Sequence, residues 1–410
     1  MPLPPWMALP AGTAPGARLL LASRGLRGFA DGCVAVLLPA YLQALGLGLL
    51  QIGVIGTLTL AGSAAATLAL GAWGHRLPAT RLLFGAAALM IFTGLGFALG
   101  GGFWPLAVVA FVGTLNPSSG DVSVFLPLEH ARLAHAAPGG DGRTQLFARY
   151  ALVGALSAAC GALASGLPDW LSAHAGIAPL AGLRAMFVGY AAIGAVVAGL
   201  YRRLHLASAE RAADDTATPQ PLGVSRGIVV RLAALFSVDS FAGGLLVNTV
   251  LALWLFRRFG LSLAAAGQFF FWAGLLTTGS LLLAPAVARR IGLLNTMVFT
   301  HIPANLFLIA AALVPTLPLA LACLLARSAL SQMDVPTRNA FVMAVVTPAE
   351  RAAAASFTAG PRSLASALGP TIGAALLASG VLGAPLVACG MLKIGYDLSI
   401  LLLFRRHPVE

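Results

Sequence analysis

Residues 82–101 read LLFGAAALMIFTGLGFALGG, twenty positions without a charged side chain, directly after Arg81. An α-helix rises about 1.5 Å per residue, so this run reaches about 30 Å, the thickness of a bilayer's hydrocarbon core. Backbone groups in lipid must be satisfied within the segment, so the run is read as a transmembrane helix. Barrel strands would read as short alternating segments, and this stretch does not alternate.

Outward from it, eleven further stretches have the same character. The first half of the chain gives 19–44, 50–73, 104–128, 144–166 and 181–201 beside 82–101; the second gives 228–254, 264–288, 292–313, 317–338, 358–382 and 384–404. The whole chain of 410 residues is 59% hydrophobic and 9% charged, with a mean hydropathy of +0.90. A soluble domain typically carries roughly 25% charged residues. So little charge cannot cover a water-facing surface, and lipid is the solvent the composition fits. The fold class expected is an all-α polytopic membrane protein of about twelve transmembrane helices.

The net charge of +12 does not describe a nucleic-acid binder, because the arginines fall between apolar runs rather than along a basic stripe. They set orientation. With the N-terminus inside, Arg76, Arg81, Arg132, Arg143, Arg202, Arg203, Arg211, Arg289, Arg290, Arg351, Arg405 and Arg406 are cytoplasmic; Arg184, Arg257 and Arg258 remain outside. The positive-inside rule selects this arrangement, with both termini cytoplasmic and the chain in the plasma (inner) membrane. Cys33, Cys160, Cys323 and Cys389 lie far apart in apolar stretches, without metal-site or disulfide spacing.

Residues 203–227 are the most polar part of the chain and contain Glu210, Asp214, Asp215, Pro219 and Pro221. They read as a cytoplasmic linker between an N-terminal bundle, 1–202, and a C-terminal bundle, 228–410. The two halves align at an offset of about 213 to 214. Gly46-Leu47 then meets Gly260-Leu261, Gly53 meets Gly267, His75-Arg76 meets Arg289-Arg290, Asp121 meets Asp334, and Arg149 meets Arg362. Matches in register at equivalent places indicate an internal duplication, hence two pseudo-symmetric six-helix bundles.

The loop after the second helix reads GAWGHRLPATR over 71–81. It resembles the signature of the major facilitator superfamily. Gly71, Arg76 and Arg81 fit that pattern; His75 replaces its acid and Pro78 its glycine. A second fragment, Gly369-Pro370-Thr371-Ile372-Gly373, is similar to the glycine-proline motif of the family's antiporters, although it lies here in the eleventh helix rather than the fifth. The resemblance implies alternating access by two rocking bundles, and the fragment points toward export.

Ionisable residues within a membrane are costly and tend to be functional. Asp31 lies roughly 18 Å into the first helix and Asp239 roughly 16 Å into the seventh, both near the midplane. The resemblance places these helices on a central cavity. A carboxylate withdrawn from water can exchange a proton near neutrality, which proton coupling needs. Each acid reads either as a coupling or substrate group or as the structural partner of an arginine, Arg27 for Asp31. Asp121 and Asp334, with Arg149 and Arg362, read as a cytoplasmic gate or clamp. On the tenth helix Arg327, Ser331, Asp334 and Arg338 share a face; Arg327, nearest the midplane, reads as an anion-binding group or an ion-pair partner. Asn116 reads as a polar wall residue at similar depth. Lys393, the chain's single lysine, has Asp397 four residues on and reads as paired with it.

No nucleotide-binding glycine loop, His-Glu-x-x-His or Gly-x-Ser-x-Gly occurs, so neither an ATP-driven pump nor a hydrolase is read. The function expected is secondary active transport of a small molecule, proton-coupled export first, with proton-coupled uptake or facilitated diffusion as alternatives. A sensor or scaffold would need a larger soluble domain. Expected partners are a small-molecule substrate, protons and the bilayer, with no cofactor, metal or nucleic acid, for a monomer.

Overall fold

The computed structural model describes residues 12–73, 76–116, 123–136, 141–208, 223–347 and 350–405, and every regular element among them is a helix. The first half contains α1 (Gly16–Ala44), α2 (Leu49–Trp73), α3 (Ala79–Leu99), α4 (Phe103–Val112), α5 (Phe125–Ala136), α6 (Asp141–Ala164), α7 (Leu167–Ala175) and α8 (Pro179–Ser208). The second contains α9 (Arg226–Leu245), α10 (Asn248–Phe259), α11 (Leu263–Ile291), α12 (Leu293–Leu313), α13 (Leu317–Leu330), α14 (Asp334–Val345), α15 (Arg351–Ala378) and α16 (Ala384–Phe404). With α4 and α5, α9 and α10, and α13 and α14 each taken as one crossing, and α7 as a short link, the chain is a twelve-helix membrane protein.

Three expected spans are interrupted. The fourth stops at Val112, and Gly113 is extended. Pro117 follows Asn116, and a residue before proline is held out of the α region. The tenth breaks at residues 331–333, where Pro336 in the first turn of α14 has no N–H to continue the helix. The seventh breaks at Leu246 and Val247, after Gly243-Gly244. The breaks in α4–α5 and α13–α14 occupy equivalent crossings.

Packing repeats in the same way. In the first half α1 packs on α6, α3 on α8 and α2 on α4; in the second α9 packs on α15, α12 on α16 and α11 on α13. Small residues permit the closest crossings. A side chain on Gly32 would strike the Ala158 carbonyl, and one on Gly369 would strike the backbone of Gly244. Gly46 (φ +80°) and Gly260 (φ +62°) end the first and seventh crossings in left-handed turns, the conformation glycine adopts without strain.

The halves meet through α2 on α15, α6 on α11 and α1 on α10. Gly53 lies against Pro370 and Ala374, and the Thr371 hydroxyl donates to Thr57 at 2.7 Å. Gly267 sits against Ala162 and Ser165, and the Thr249 hydroxyl donates to the Ala35 carbonyl at 3.2 Å. These contacts gather toward one membrane face. Val108, Phe111, Leu282, Phe299 and Leu402 are exposed on the outside of the bundle, as lipid-facing side chains are, and Trp73, Trp104 and Trp170 are exposed near helix ends, where an interfacial belt forms.

The linker's far end is latched. Glu350, before α15, accepts from the Gly223 amide at 2.7 Å and the Ser225 amide at 3.0 Å, capping α9 from a different segment. Hydrogen bonds from Ser225 and from the Gly223 backbone hold its carboxyl below the usual glutamate range. A depressed carboxyl contributes stability above the ordinary glutamate pKa and loses it as pH falls through that value toward the depressed one. Glu350→Ala is therefore expected to abolish hydrogen-exchange protection at the amides of Gly223 and Ser225. Wild-type protection there is expected to fade only on acidification below the glutamate range.

Candidate functional site

One buried charge cluster ties the first half together. Glu129 on α5 is fully buried and accepts from Arg27 on α1, Tyr150 on α6, Tyr201 on α8 at 2.6 Å and Ser23 on α1 at 2.9 Å. The Arg27 guanidinium also stacks 4.2 Å above the Phe125 ring. A buried carboxylate is tolerated when its lone pairs are filled, and here four side chains from three other helices fill them.

The second half has a cluster of opposite arrangement. Asp239 on α9 accepts from Lys393 on α16 at 2.6 Å and from Arg338 on α14 at 3.1 Å. Arg338 also reaches Asp334 at 3.2 Å. Beside them the Nδ1 of His301 on α12 lies 2.9 Å from Asp397 on α16. The first half thus carries its arginine on the first crossing and its acid on the fourth, whereas the second carries its acid on the seventh and its arginine on the tenth.

Both halves also bound a cavity of about 330 Å³. Arg24, Gly32 and Val36 of α1 and the small residues of α6 from Ala151 to Ala162 form one side. Asn248, Phe269, Phe270, Thr277, Arg327, Ser328 and Gln332 belong to the other. The interhalf contacts of Ala159, Ala162 and Thr249 close it toward one face. Asp31 is buried beside cavity-lining Gly32, with Arg24 and Arg27 of its own helix and Tyr190 of α8 as its charged and titratable neighbours. Among the described residues it has neither a hydrogen bond nor an ion pair.

A twelve-helix bundle with paired halves and a central cavity is a transporter architecture. The family model described as Major Facilitator Superfamily matches residues 20–370. The chain belongs to the Major Facilitator Superfamily. Among solved structures this superfamily member is similar to the nucleoside transporter NupG, with a TM-score of 0.71 and 17% identity over 95% of this chain and 99% of that one. It is similar also to a bacterial homologue of the human lysosomal transporter Spinster in an inward-facing, unoccupied conformation, with a TM-score of 0.67 and 15% identity over 94% of each. The uncharacterized membrane protein YJR124C of Saccharomyces cerevisiae is 26% identical over 94% of this chain and 93% of its own length.

Several sequence expectations are redirected by the geometry. Lys393 bonds Asp239 rather than Asp397, which meets His301: a side chain can turn across the bundle instead of along its helix. Arg27 pairs with Glu129, so Asp31 is not its ion-pair partner. Asp334 bonds Arg338, and Arg362 points its Nε at Ser240, 3.2 Å away. The polar face of the tenth crossing is divided by its break: Arg327 and Ser331 line the cavity, while Asp334 and Arg338 join the Asp239 cluster. Asn116 is buried at the break after α4 rather than on this cavity's wall. Asp121 and His75 lie outside the described residues, and with Asp121 its pairing with Arg149 or, across the halves, with Arg362. Gly71 lies in the last turn of α2, and Arg76 and Arg81 are exposed in the loop and at the start of α3.

Glu129, His301, Tyr150 and Tyr201 escaped the sequence reading. Glu129 is one of four glutamates and falls one residue past the expected end of the fourth span, where an acid reads as interfacial. Its depth follows from the break in that crossing, which lets α5 continue to Ala136.

Proposed function

We propose that this chain is a secondary active transporter that moves a small molecule by alternating access, as a monomer in the plasma (inner) membrane with both termini cytoplasmic. Residues 1–202 and 228–410 are the two moving bundles, and 203–227 joins them. The observation that carries this reading is the central cavity, built from both halves and closed on one side by interhalf contacts of small residues. In the orientation chosen by the arginines, the closed side is outer, and the cavity faces the cytoplasm.

Asp31 is the proposed proton-coupling residue. Asp239 was an equal candidate by depth, but it is held by Lys393 and Arg338. Asp31 has no such partner among the described residues, so its charge state is free to respond as the bundles rock. The Gly369–Gly373 stretch, which points toward export, packs α15 against α9 and α2. Uptake by symport is favoured by a different observation. Among the described residues the cavity wall carries arginines and no acid, so proton and substrate do not compete there for one carboxylate, as exchange requires.

The test is flux into proteoliposomes under an imposed pH gradient. Asp31→Asn, which keeps shape and removes titration, is expected to abolish accumulation while preserving substrate exchange within a few-fold. Unchanged pH-driven accumulation in that variant rejects the coupling role. Substrate movement against the proton gradient, rather than with it, restores export.

A further inference from the structure

The cavity holds two guanidinium groups, and among the described residues neither has an ion pair. Arg24 comes from α1 and Arg327 from α13, so each half supplies one. The Nε of each is buried without an acceptor. Arg24 lies 5.3 Å from the Tyr150 ring, a contact that leaves its N–H groups unused. The acids nearby are engaged elsewhere: Glu129 with Arg27, Asp239 with Lys393 and Arg338, Asp334 with Arg338, and Asp397 with His301. Asp31 acts on Arg24 only through space.

Buried donors are almost always satisfied, and a buried cation without an acid is costly. Two half-buried arginines facing one cavity, each with a buried Nε that lacks an acceptor, have a physical reason to be there when the cavity's occupant is an anion. Arginine's planar fork matches carboxylate and phosphate oxygens. The remaining wall supplies weaker polar groups, Asn248, Thr277, Ser328 and Gln332, beside the alanine and glycine surface of α6 and the rings of Phe269 and Phe270. About 330 Å³ lies at the small end of ligand pockets.

We infer that the cavity binds a small organic anion, its carboxylate or phosphate held between Arg24 and Arg327 and its uncharged part against the α6 wall and the two phenylalanines. This rests on the transporter reading and names its substrate class. It also supplies that reading with a driving contact. The two arginines belong to different halves, so an anion touching both is bound more tightly when the halves close around it. Only such differential binding can shift a conformational equilibrium. A proton on Asp31 removes a negative charge that acts on Arg24, so proton and anion load together.

The test is thermal unfolding of the full-length detergent-solubilised protein at constant ionic strength. The probes are succinate, benzoate and inorganic phosphate, with tetraethylammonium and mannitol as cationic and neutral controls. A ligand that binds the native state raises the melting temperature in proportion to its occupancy. At least one anion is expected to stabilise saturably, and which anion does so separates carboxylate from phosphate recognition. Arg24→Gln and Arg327→Gln are each expected to raise the half-saturating concentration at least tenfold. Arg24→Lys and Arg327→Lys, which keep the charge and lose the fork, are expected to fall between. Arg202→Gln, at an exposed position, is expected to match wild type. Equal stabilisation in the glutamine variants, stabilisation by the cation or the neutral control alone, or none by any anion overturns the inference. Counterflow in proteoliposomes separates the two readings. Flux of neutral or cationic solutes alone rejects the anion and leaves a transporter standing. Anion stabilisation without flux of any probe rejects transport and leaves the binding site.

Discussion

Glu129→Ala is expected to destabilise the protein by about 3–5 kcal/mol, the usual cost of leaving one member of a buried ion pair alone. The orphan is Arg27, 2% exposed, whose other polar partner is the Tyr150 hydroxyl at 3.3 Å. The reverse change, Arg27→Met, is expected to cost less, because Glu129 keeps the hydroxyls of Ser23, Tyr150 and Tyr201. The double variant Arg27→Met with Glu129→Ala should recover part of the loss. Melting temperatures of the four proteins in one detergent measure the order. Equal losses from the two single variants would mean that the carboxylate's hydroxyl partners do not compensate for the missing arginine.

The second large effect is expected at Asp239, where Asp239→Asn leaves Lys393 without its acid and takes one of its two carboxylate partners from Arg338, which keeps Asp334. The expected loss is again about 3–5 kcal/mol. Lys393→Met is milder, since Asp239 retains Arg338. In the double variant Asp239→Asn with Lys393→Met the stranded ammonium is gone, and stability should return to within roughly 1–2 kcal/mol of wild type, a coupling within the range of contacting residues. Additive losses in this cycle would contradict the pairing and return Lys393 to Asp397, its neighbour along the helix.

That neighbour shows where sequence reasoning stops. Spacing of four residues places Lys393 and Asp397 on one helical face, and local geometry permits their contact. The choice between Asp397 and Asp239 depends on which helix packs beside α16, a relation between residues 154 positions apart. Glu129 makes the same point from the other side. Its partners come from residues 23, 27, 150 and 201, and nothing in the spacing of those numbers announces a cluster. By contrast, the duplication was legible because it is a linear property. Gly46 and Gly260 end equivalent crossings in the same left-handed turn, and Gly53 and Gly267 make equivalent interhalf contacts.

The sequence by itself determined that this chain lives in a membrane, crosses it about twelve times as helices and is built from two related halves. Those conclusions rest on backbone hydrogen bonding in lipid and on run lengths, and both act within a segment. It also placed Asp31, Asp239 and Arg327 at depths where charge is costly. Tertiary structure alone decided which of those charges are neutralised. Packing closed Asp239 and Arg27 into pairs, left Arg24 and Arg327 on the wall of a shared cavity, and set Asp31 beside it. The reason is physical: the cost of a buried charge is fixed by its position in the chain, but its remedy is a contact, and contacts between helices are written in three dimensions.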